Sequence, residues 1–157
     1  MSVGAIALHP VSSAVTISTP AAPTTAPPVA AGNNIQPIAL GESVMLGAKS
    51  GVSSALNVTK FMAVVGWQED DVERALRRAL PKIPNSGVVF NLGNNGFIAE
   101  DSVRDLLTSL RFQPRVVIVN ASVPRRWQDG NNALLAKVAR DFPNVVVADW
   151  RSIAVDH

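Results

Sequence analysis

Residues 87–96 read Gly87-Val88-Val89-Phe90-Asn91-Leu92-Gly93-Asn94-Asn95-Gly96, and they hold an apolar run that stops at a glycine. The run lacks the alternation of polar and apolar side chains that is typical of a strand with one face in water. Near-continuous apolar runs are typical of strands in a parallel sheet, because helices cover both of its faces. The segment therefore predicts an interior strand followed directly by a loop of small and amide-bearing residues.

Similar apolar runs lie on both sides of this segment, at residues 37–40, 61–65, 115–120 and 145–147. Amphipathic stretches that predict helices lie between them, at residues 68–80, 100–110 and 129–142. In the first predicted helix the acids come early and the arginines late, which complements the helix dipole, and Pro81 closes it. The alternation predicts an α/β fold whose parallel sheet is covered on both sides.

Composition favours one globular domain and excludes several kinds of site. The chain has 157 residues, of which 47% are hydrophobic and 17% are charged. Its 14 Lys and Arg and its 12 Asp and Glu are spread along the chain. No basic patch points to a nucleic acid partner. Because the chain has no cysteine, a disulfide, a thiolate metal site and a cysteine nucleophile are excluded.

The N-terminal part of the chain has a different composition. Residues 11–32 are almost entirely Ser, Thr, Ala, Val and Pro, and they carry no charge. The closely spaced prolines exclude a helix or a central strand, so we predict a disordered Pro/Ala/Thr-rich tail or linker over residues 1–34 and a domain over residues 35–157. Residues 1–8 form an apolar patch without a basic flank, so no signal peptide is evident. No stretch approaches the roughly 20 apolar residues of a transmembrane helix.

Three residues that follow predicted strands suit one kind of chemistry. Ser43, Gly66 and Asn95 each come after a different apolar run, and the carboxyl ends of parallel strands share one edge of a sheet. A serine on a strand-to-helix turn presents its hydroxyl and its own N–H, glycine lets a second N–H approach, and asparagine adds a neutral amide donor. We expect the three to form an oxyanion hole for acyl transfer.

The order Gly41-x-Ser43, then Gly66, then Gly93-x-Asn95 resembles blocks I, II and III of the SGNH (GDSL-like) hydrolase superfamily. More narrowly, residues 36–157 are similar to the C-terminal extracytoplasmic domain of bacterial membrane acyltransferases of the acyltransferase-3 type. Members of that family O-acetylate peptidoglycan or other cell-surface glycans. The similarity is carried by residues 39–47, 91–96, 123–127 and 147–150.

The resemblance implies a flavodoxin-like three-layer α/β/α sandwich with about five parallel strands, and neither a metal nor an organic cofactor. It implies that Ser43 is the nucleophile and that the oxyanion hole is formed by the N–H groups of Ser43 and Gly66 with the amide of Asn95. The partners implied are an acyl donor, a glycan acceptor and, if the chain is a fragment, a parent membrane acyltransferase domain. The location implied is extracytoplasmic, in the periplasm or at the cell surface.

Two features depart from the family pattern. Position 42 is Glu where the family usually has Asp, so the local hydrogen bonds are expected to differ. The family's Asp-x-x-His block, which supplies the base, is expected beyond the last strand, whereas the chain ends at Asp156-His157 and its other histidine is His9. Because a serine needs an adjacent base, we expect that the C-terminal part of the fold is missing and that this chain alone is poorly active or inactive.

Other interpretations stay open. Ser43 also suits a helix N-cap, and Gly66 suits an ordinary turn. Arg126 and Trp127 suit the rim of a glycan site, while Trp127 alone suits packing at the start of the next helix. Residues 47–50, Gly47-Ala48-Lys49-Ser50, resemble a phosphate-binding loop with altered spacing, which leaves a nucleotide-binding domain as one alternative. A non-catalytic binding module on the same scaffold is another.

Overall fold

A computed structural model of the chain describes residues 35–155. The tail or linker predicted over residues 1–34 lies outside the described residues, and so do Asp156 and His157. The predicted division of the chain after residue 34 therefore stays a prediction.

The described part of the chain alternates strands with helices. The strands are β1 (Ile38–Gly41), β2 (Lys60–Ala63), β3 (Val88–Asn91), β4 (Val116–Val119) and β5 (Val145–Ala148). The helices are α1 (Ser43–Gly47), α2 (Lys49–Leu56), α3 (Glu69–Ala79), α4 (Glu100–Ser109), α5 (Gln128–Ala139) and α6 (Trp150–Val155), with a 3₁₀ turn at Leu80–Lys82. All five strands pair in parallel in the order β2-β1-β3-β4-β5. This confirms the predicted parallel sheet, and the strand order is that of flavodoxin-like folds.

The main core lies between one face of the sheet and helices α3, α4 and α5. Every second strand residue points to this face, because side chains alternate along a strand. Fully buried members of the core are Ile38, Leu40, Phe90 and Ile118 from the strands and Leu76, Leu107 and Leu135 from the helices. Full burial of such a side chain stabilises the fold by about 1.5–3 kcal/mol, so this layer holds the strand ends in place.

Helices α1, α2 and α6 lie on the other face of the sheet. Asn91, Val119 and Ala148 alternate with the core residues and point to this second face. Together with Val44 and other apolar side chains of the three helices they line a cavity of about 250 Å³. Helices on both faces confirm the predicted three-layer arrangement. Within residues 35–155, no helix has the length and apolar character needed to span a bilayer.

Helix α3 shows how side chains determine a helix boundary. The N–H of Gln68 donates to the carboxylate of Asp71 at 3.1 Å, while the Gln68 side chain accepts from the N–H of Asp71. This reciprocal pair is a capping box. The α-helix ends at Ala79, one residue before the predicted end, because Pro81 has no N–H with which to continue it.

Two details differ from the sequence prediction. The apolar run 61–65 predicts a strand through Val65, but β2 ends at Ala63, opposite the last residue of its partner β1. Val64 and Val65 therefore leave the sheet and are exposed. Helices α2 and α6 are additional to the predicted ones, and α6 begins directly after β5.

Candidate active site

The carboxyl ends of β1, β2 and β3 form the edge of the sheet at which the predicted residues meet. The chain passes from β1 to β2 on one side of β1 and then returns to place β3 on the other side. Such a reversal opens a crevice between the loops that leave the neighbouring strands. Ser43 follows β1, Gly66 follows β2 and Asn95 follows β3.

Ser43 is the first residue of α1 and lies two positions after β1 ends. The N-cap is Glu42, which is extended and makes no capping hydrogen bond, so the interpretation of Ser43 as an N-cap is wrong. Gly41 makes the turn possible, because a Cβ at this position would lie only 2.7 Å from the Cβ of Met45. Ser43 is half-buried, and its hydroxyl makes no hydrogen bond to another described residue.

Glu42 connects the turn that carries Ser43 to the loop that follows β3. Its carboxylate is buried and accepts from the N–H of Gly93 at 3.0 Å and from the N–H of Asn94 at 2.8 Å. Burial raises the pKa of Glu42, and the hydrogen bonds from Gly93 and Asn94 offset part of that rise. The glutamate at this position thus makes two specific bonds across the site.

The β3 loop, residues 92–99, is held from the other side by Asn131 of α5. The Asn131 side-chain NH₂ donates to the carbonyl of Gly93 at 3.0 Å and to that of Gly96 at 2.7 Å, and its oxygen accepts from the N–H of Ile98 at 3.2 Å. Asn131 is buried. Asn131 is not among the predicted site residues, although an asparagine one turn before Leu135 on the apolar face of a helix was the available signal.

Two more asparagines fix the start of the β3 loop. The side-chain NH₂ of Asn91 donates to the carbonyl of Val119 at 3.0 Å, and its oxygen accepts from the side chain of Asn94. The backbone carbonyl of Asn94 accepts from the indole N–H of Trp127 at 3.2 Å. The loop is therefore bonded to the turn after β1 and to the start of α5, while Asn91, the last residue of β3, bonds to β4.

Asn95 links the β3 loop to the β2 loop, residues 64–67. Its NH₂ donates to the carbonyl of Trp67 at 2.9 Å, which leaves a second N–H on the same nitrogen. The neighbouring Gly66 has φ +84° and is exposed. At the other end of this loop, the N–H of Val64 donates to the carbonyl of Gly41 at 3.3 Å. The three predicted loops thus adjoin one another around the start of α1.

An aromatic pair lies beside this group. Trp127 immediately precedes α5 and is half-buried, as expected for a residue that packs at the start of that helix. The Phe97 ring packs against it with centroids 5.8 Å apart, and the guanidinium of Arg126 lies 5.7 Å from the Phe97 centroid. Phe97 is not among the predicted site residues.

The phosphate-loop interpretation of residues 47–50 does not fit the structure. Gly47 closes α1 and Lys49 opens α2, so the segment is helical and does not follow a strand. The Lys49 ammonium lies over the ring of Phe61, 5.7 Å from its centroid. The N–H groups that would cradle a phosphate are those of a helix here, not of a glycine-rich loop.

No family model matches the chain. It is 31% identical over 121 residues to the putative peptidoglycan O-acetyltransferase YrhL of Bacillus subtilis, which covers 76% of this chain and 19% of that protein. It is 36% identical over 118 residues to the peptidoglycan O-acetyltransferase OatA of Listeria monocytogenes, covering 74% of this chain and 19% of that protein. The chain thus spans about a fifth of the length of these curated relatives.

Solved structures share the fold. The C-terminal catalytic domain of Streptococcus pneumoniae peptidoglycan O-acetyltransferase A, solved with a methylsulfonyl adduct, matches with a TM-score of 0.67 at 20% identity, over 80% of this chain and 75% of that one. The acetylxylan esterase Axe2 of Geobacillus stearothermophilus matches with a TM-score of 0.60 at 12% identity, over 80% and 82% of the two chains. These likenesses confirm the predicted three-layer fold.

Proposed function

We propose that the chain is an SGNH-type domain related to part of the peptidoglycan O-acetyltransferases, and that it transfers an acyl group through Ser43 to a hydroxyl of a cell-surface glycan. One observation carries the assignment of the site. The buried carboxylate of Glu42 bonds to Gly93 and Asn94, so the turn that bears Ser43 is joined to the loop that bears Asn95.

In the proposed reaction the Ser43 hydroxyl oxygen attacks the carbonyl carbon of an acyl donor, and its proton passes to a base. The negative charge that develops on the carbonyl oxygen is held by the N–H groups of Ser43 and Gly66 and by the second N–H of the Asn95 side chain. Each such donor is worth about 3–4 kcal/mol in the transition state. Departure of the donor's leaving group produces an ester on Ser43.

The second half of the reaction transfers the acyl group. The oxygen of a glycan hydroxyl attacks the carbonyl carbon of the Ser43 ester while its proton passes to the base, and a second tetrahedral intermediate forms in the same oxyanion hole. The bond from that carbon to Ser43 Oγ then breaks, Oγ takes the proton back, and the O-acylated glycan leaves. Attack by water at this step gives hydrolysis instead. The enzyme's preference therefore depends on which oxygen reaches the ester, and a bound glycan favours transfer by proximity.

Glu42 is a positioning residue in this scheme and not the base. Both of its oxygens accept backbone N–H groups, and the side chain is only 1% exposed. Residues 35–155 contain no histidine, so in this scheme the base that activates Ser43 comes from outside this range. We also assign the domain to the outside of the cytoplasm, where cell-surface glycans lie, and to a longer membrane acyltransferase, because the relatives are about four times as long as the chain.

A covalent probe tests the nucleophile. Because an oxyanion hole sustains slow reaction even without the base, we expect methylsulfonyl fluoride on long incubation to add one methylsulfonyl group to the peptide that contains Ser43, as measured by peptide mass spectrometry of the full chain. The Ser43→Ala variant should lose the adduct, while Ser54→Ala, which removes an exposed hydroxyl of α2, should keep it. Equal labelling of Ser43→Ala and the unmodified sequence, or no labelling of either, would remove Ser43 from its proposed role.

A further inference from the structure

Phe97 is an exposed aromatic ring on a fixed backbone. Its side chain is 65% exposed. The residues on both sides are bonded to the same buried asparagine, since the carbonyl of Gly96 and the N–H of Ile98 both bind the side chain of Asn131. The ring is therefore held in solvent at a defined place, two positions after Asn95.

A second ring and a cation complete the cluster. Trp127 is fixed by its bond to the carbonyl of Asn94 and lies against Phe97 at a tilt of 58°. The guanidinium of Arg126 lies over the Phe97 ring and forms no ion pair with a carboxylate of residues 35–155. An aromatic face suits the C–H face of a sugar ring, and a free guanidinium suits a carboxylate.

The opposite edge of the sheet offers a comparison. Phe112, in the loop before β4, is 78% exposed, and Arg111 lies over its ring at 4.3 Å from the centroid. This pair has the same chemistry, but it lies at the amino ends of the strands, away from Ser43. A ligand of the candidate site can reach the Phe97 pair and not the Phe112 pair.

We infer that Phe97, Trp127 and Arg126 form an acceptor subsite that stacks a sugar ring on Phe97 and binds a carboxylate of the same glycan through Arg126. The inference rests on the proposed function for the identity of the acceptor. The subsite selects acidic glycans over neutral ones, because only acidic glycans offer a carboxylate to the guanidinium. Trp127 holds the Phe97 ring in place and is a positioning residue.

Binding measurements on the full chain test this subsite without requiring turnover. The probes are the disaccharide of N-acetylglucosamine and N-acetylmuramic acid, which carries a carboxylate, and chitobiose, which does not. The Kd of each is measured by NMR titration, with the indole N–H of Trp127 as reporter. We expect the acidic disaccharide to bind more tightly, and we expect Phe97→Ala and Phe97→Leu to weaken both ligands about fivefold to tenfold.

Variants of Arg126 and of the adjacent Arg125 test the carboxylate contact specifically. Arg126→Ala should abolish the preference for the acidic disaccharide and leave the Kd of chitobiose unchanged, while the adjacent Arg125→Ala and the remote Phe112→Ala should match the unmodified chain. Unchanged binding in Phe97→Ala, or an equal loss of both ligands in Arg126→Ala, would overturn the subsite.

The Ser43 probe separates this inference from the proposed function. If the subsite is correct, Ser43→Ala binds the acidic disaccharide like the unmodified chain, whatever the outcome of methylsulfonyl labelling. Labelling of Ser43 without any glycan binding would overturn the subsite and leave the nucleophile in place. Glycan binding through Phe97 without labelling of Ser43 would support the subsite and overturn the acyl-transfer proposal.

Discussion

The β2 loop and the β3 loop each follow a strand with a glycine in a left-handed conformation, yet they are built differently. Gly66 has φ +84° and Gly93 has φ +92°. A Cβ on Gly66 would meet nothing within 4 Å, whereas a Cβ on Gly93 would lie 2.9 Å from the side-chain nitrogen of Asn131. Gly66 is therefore favoured by its backbone angle alone, whereas Gly93 is required both by its backbone angle and by the lack of space for a Cβ.

The difference shows which loop of the candidate site is more firmly held. The β3 loop is bonded to buried side chains from two directions, by Glu42 from the β1 turn and by Asn131 from α5. The β2 loop is held mainly at its ends, by the Gly41 carbonyl and by the Asn95 side chain. We conclude that the β3 loop forms the rigid wall of the site and that Asn95 positions the β2 loop relative to it.

Gly93→Ala should have the largest effect on stability. The substitution forces a Cβ into the left-handed region, at about 1–2 kcal/mol, and displaces Asn131 from two carbonyls, at about 1 kcal/mol each. We expect the free energy of unfolding to fall by about 3–4 kcal/mol in urea titrations. A loss below about 1 kcal/mol would show that the β3 loop accommodates the extra Cβ and is not packed more tightly than the β2 loop.

Asn131→Ala should have the second-largest effect on the free energy of unfolding. It leaves the carbonyls of Gly93 and Gly96 and the N–H of Ile98 without their partner. The expected loss is about 2–3 kcal/mol, since unsatisfied buried polar groups cost roughly 1–3 kcal/mol. We also expect faster amide hydrogen exchange in the β3 loop, because its backbone groups lose their fixed partner.

Asn132→Ala is the matched control for this variant. Asn132 is the next residue of α5 and bonds to the N–H and the carbonyl of Ala121, both at 2.9 Å, in the loop after β4. Its removal should destabilise that loop and leave exchange in the β3 loop unchanged. Faster exchange of the β3 loop in both variants would mean that α5 acts on the site through general loosening and not through Asn131.

These two loops also show what could be predicted from the sequence. The strands were predictable because runs such as residues 87–92 are apolar without alternation, and the five-stranded parallel sheet follows from them. The order Ser43, Gly66 and Asn95 predicted a site at one edge of that sheet, and hydrogen bonds join the loops that bear these residues there. The end of β2 was not predictable from its own residues, because Val64 and Val65 continue the apolar run while the partner strand stops at Gly41.

The different environments of Gly66 and Gly93 could not be predicted from the residues next to them in the chain. It depends on Asn131, which lies 38 positions after Gly93 in the chain. The effect of Glu42 was also unpredictable, because whether a longer side chain reaches the N–H groups of Gly93 and Asn94 depends on the distance between two strands. Sequence periodicity identifies faces and ends, whereas these bonds depend on the packed geometry of α5 and β1.

Gly66→Ala should have a smaller effect than either loop variant above. The space around the residue is open, so only the backbone angle opposes the substitution. We expect a loss of about 1 kcal/mol in the free energy of unfolding. Alanine keeps the N–H, so methylsulfonyl labelling of Ser43 should persist. A loss as large as that of Gly93→Ala would show that the two loops are packed alike.

The last prediction concerns the pH dependence of stability that arises from Glu42, the residue that bonds the β1 turn to the β3 loop. Because burial raises the pKa of Glu42 above 4.5, the folded state holds this proton more tightly than the unfolded state does. The contribution of Glu42 to stability is therefore greatest below pH 4.5 and falls as pH rises through the folded pKa. Glu42→Gln removes this contribution. The unfolding free energy of the unmodified chain minus that of Glu42→Gln should decrease with rising pH over this window and then level off.

Asp71 provides a comparison of opposite sign for the same titration. Hydrogen bonds from the N–H of Gln68 and from Arg74 lower the pKa of Asp71 below 3.8, so its contribution is present above that pH and is lost as pH falls through the folded pKa. The corresponding difference for Asp71→Asn should therefore rise with pH where that for Glu42→Gln falls. If both differences rise with pH, the hydrogen bonds from Gly93 and Asn94 outweigh the burial of Glu42, and its carboxylate is a stabilising anchor of the β3 loop at neutral pH.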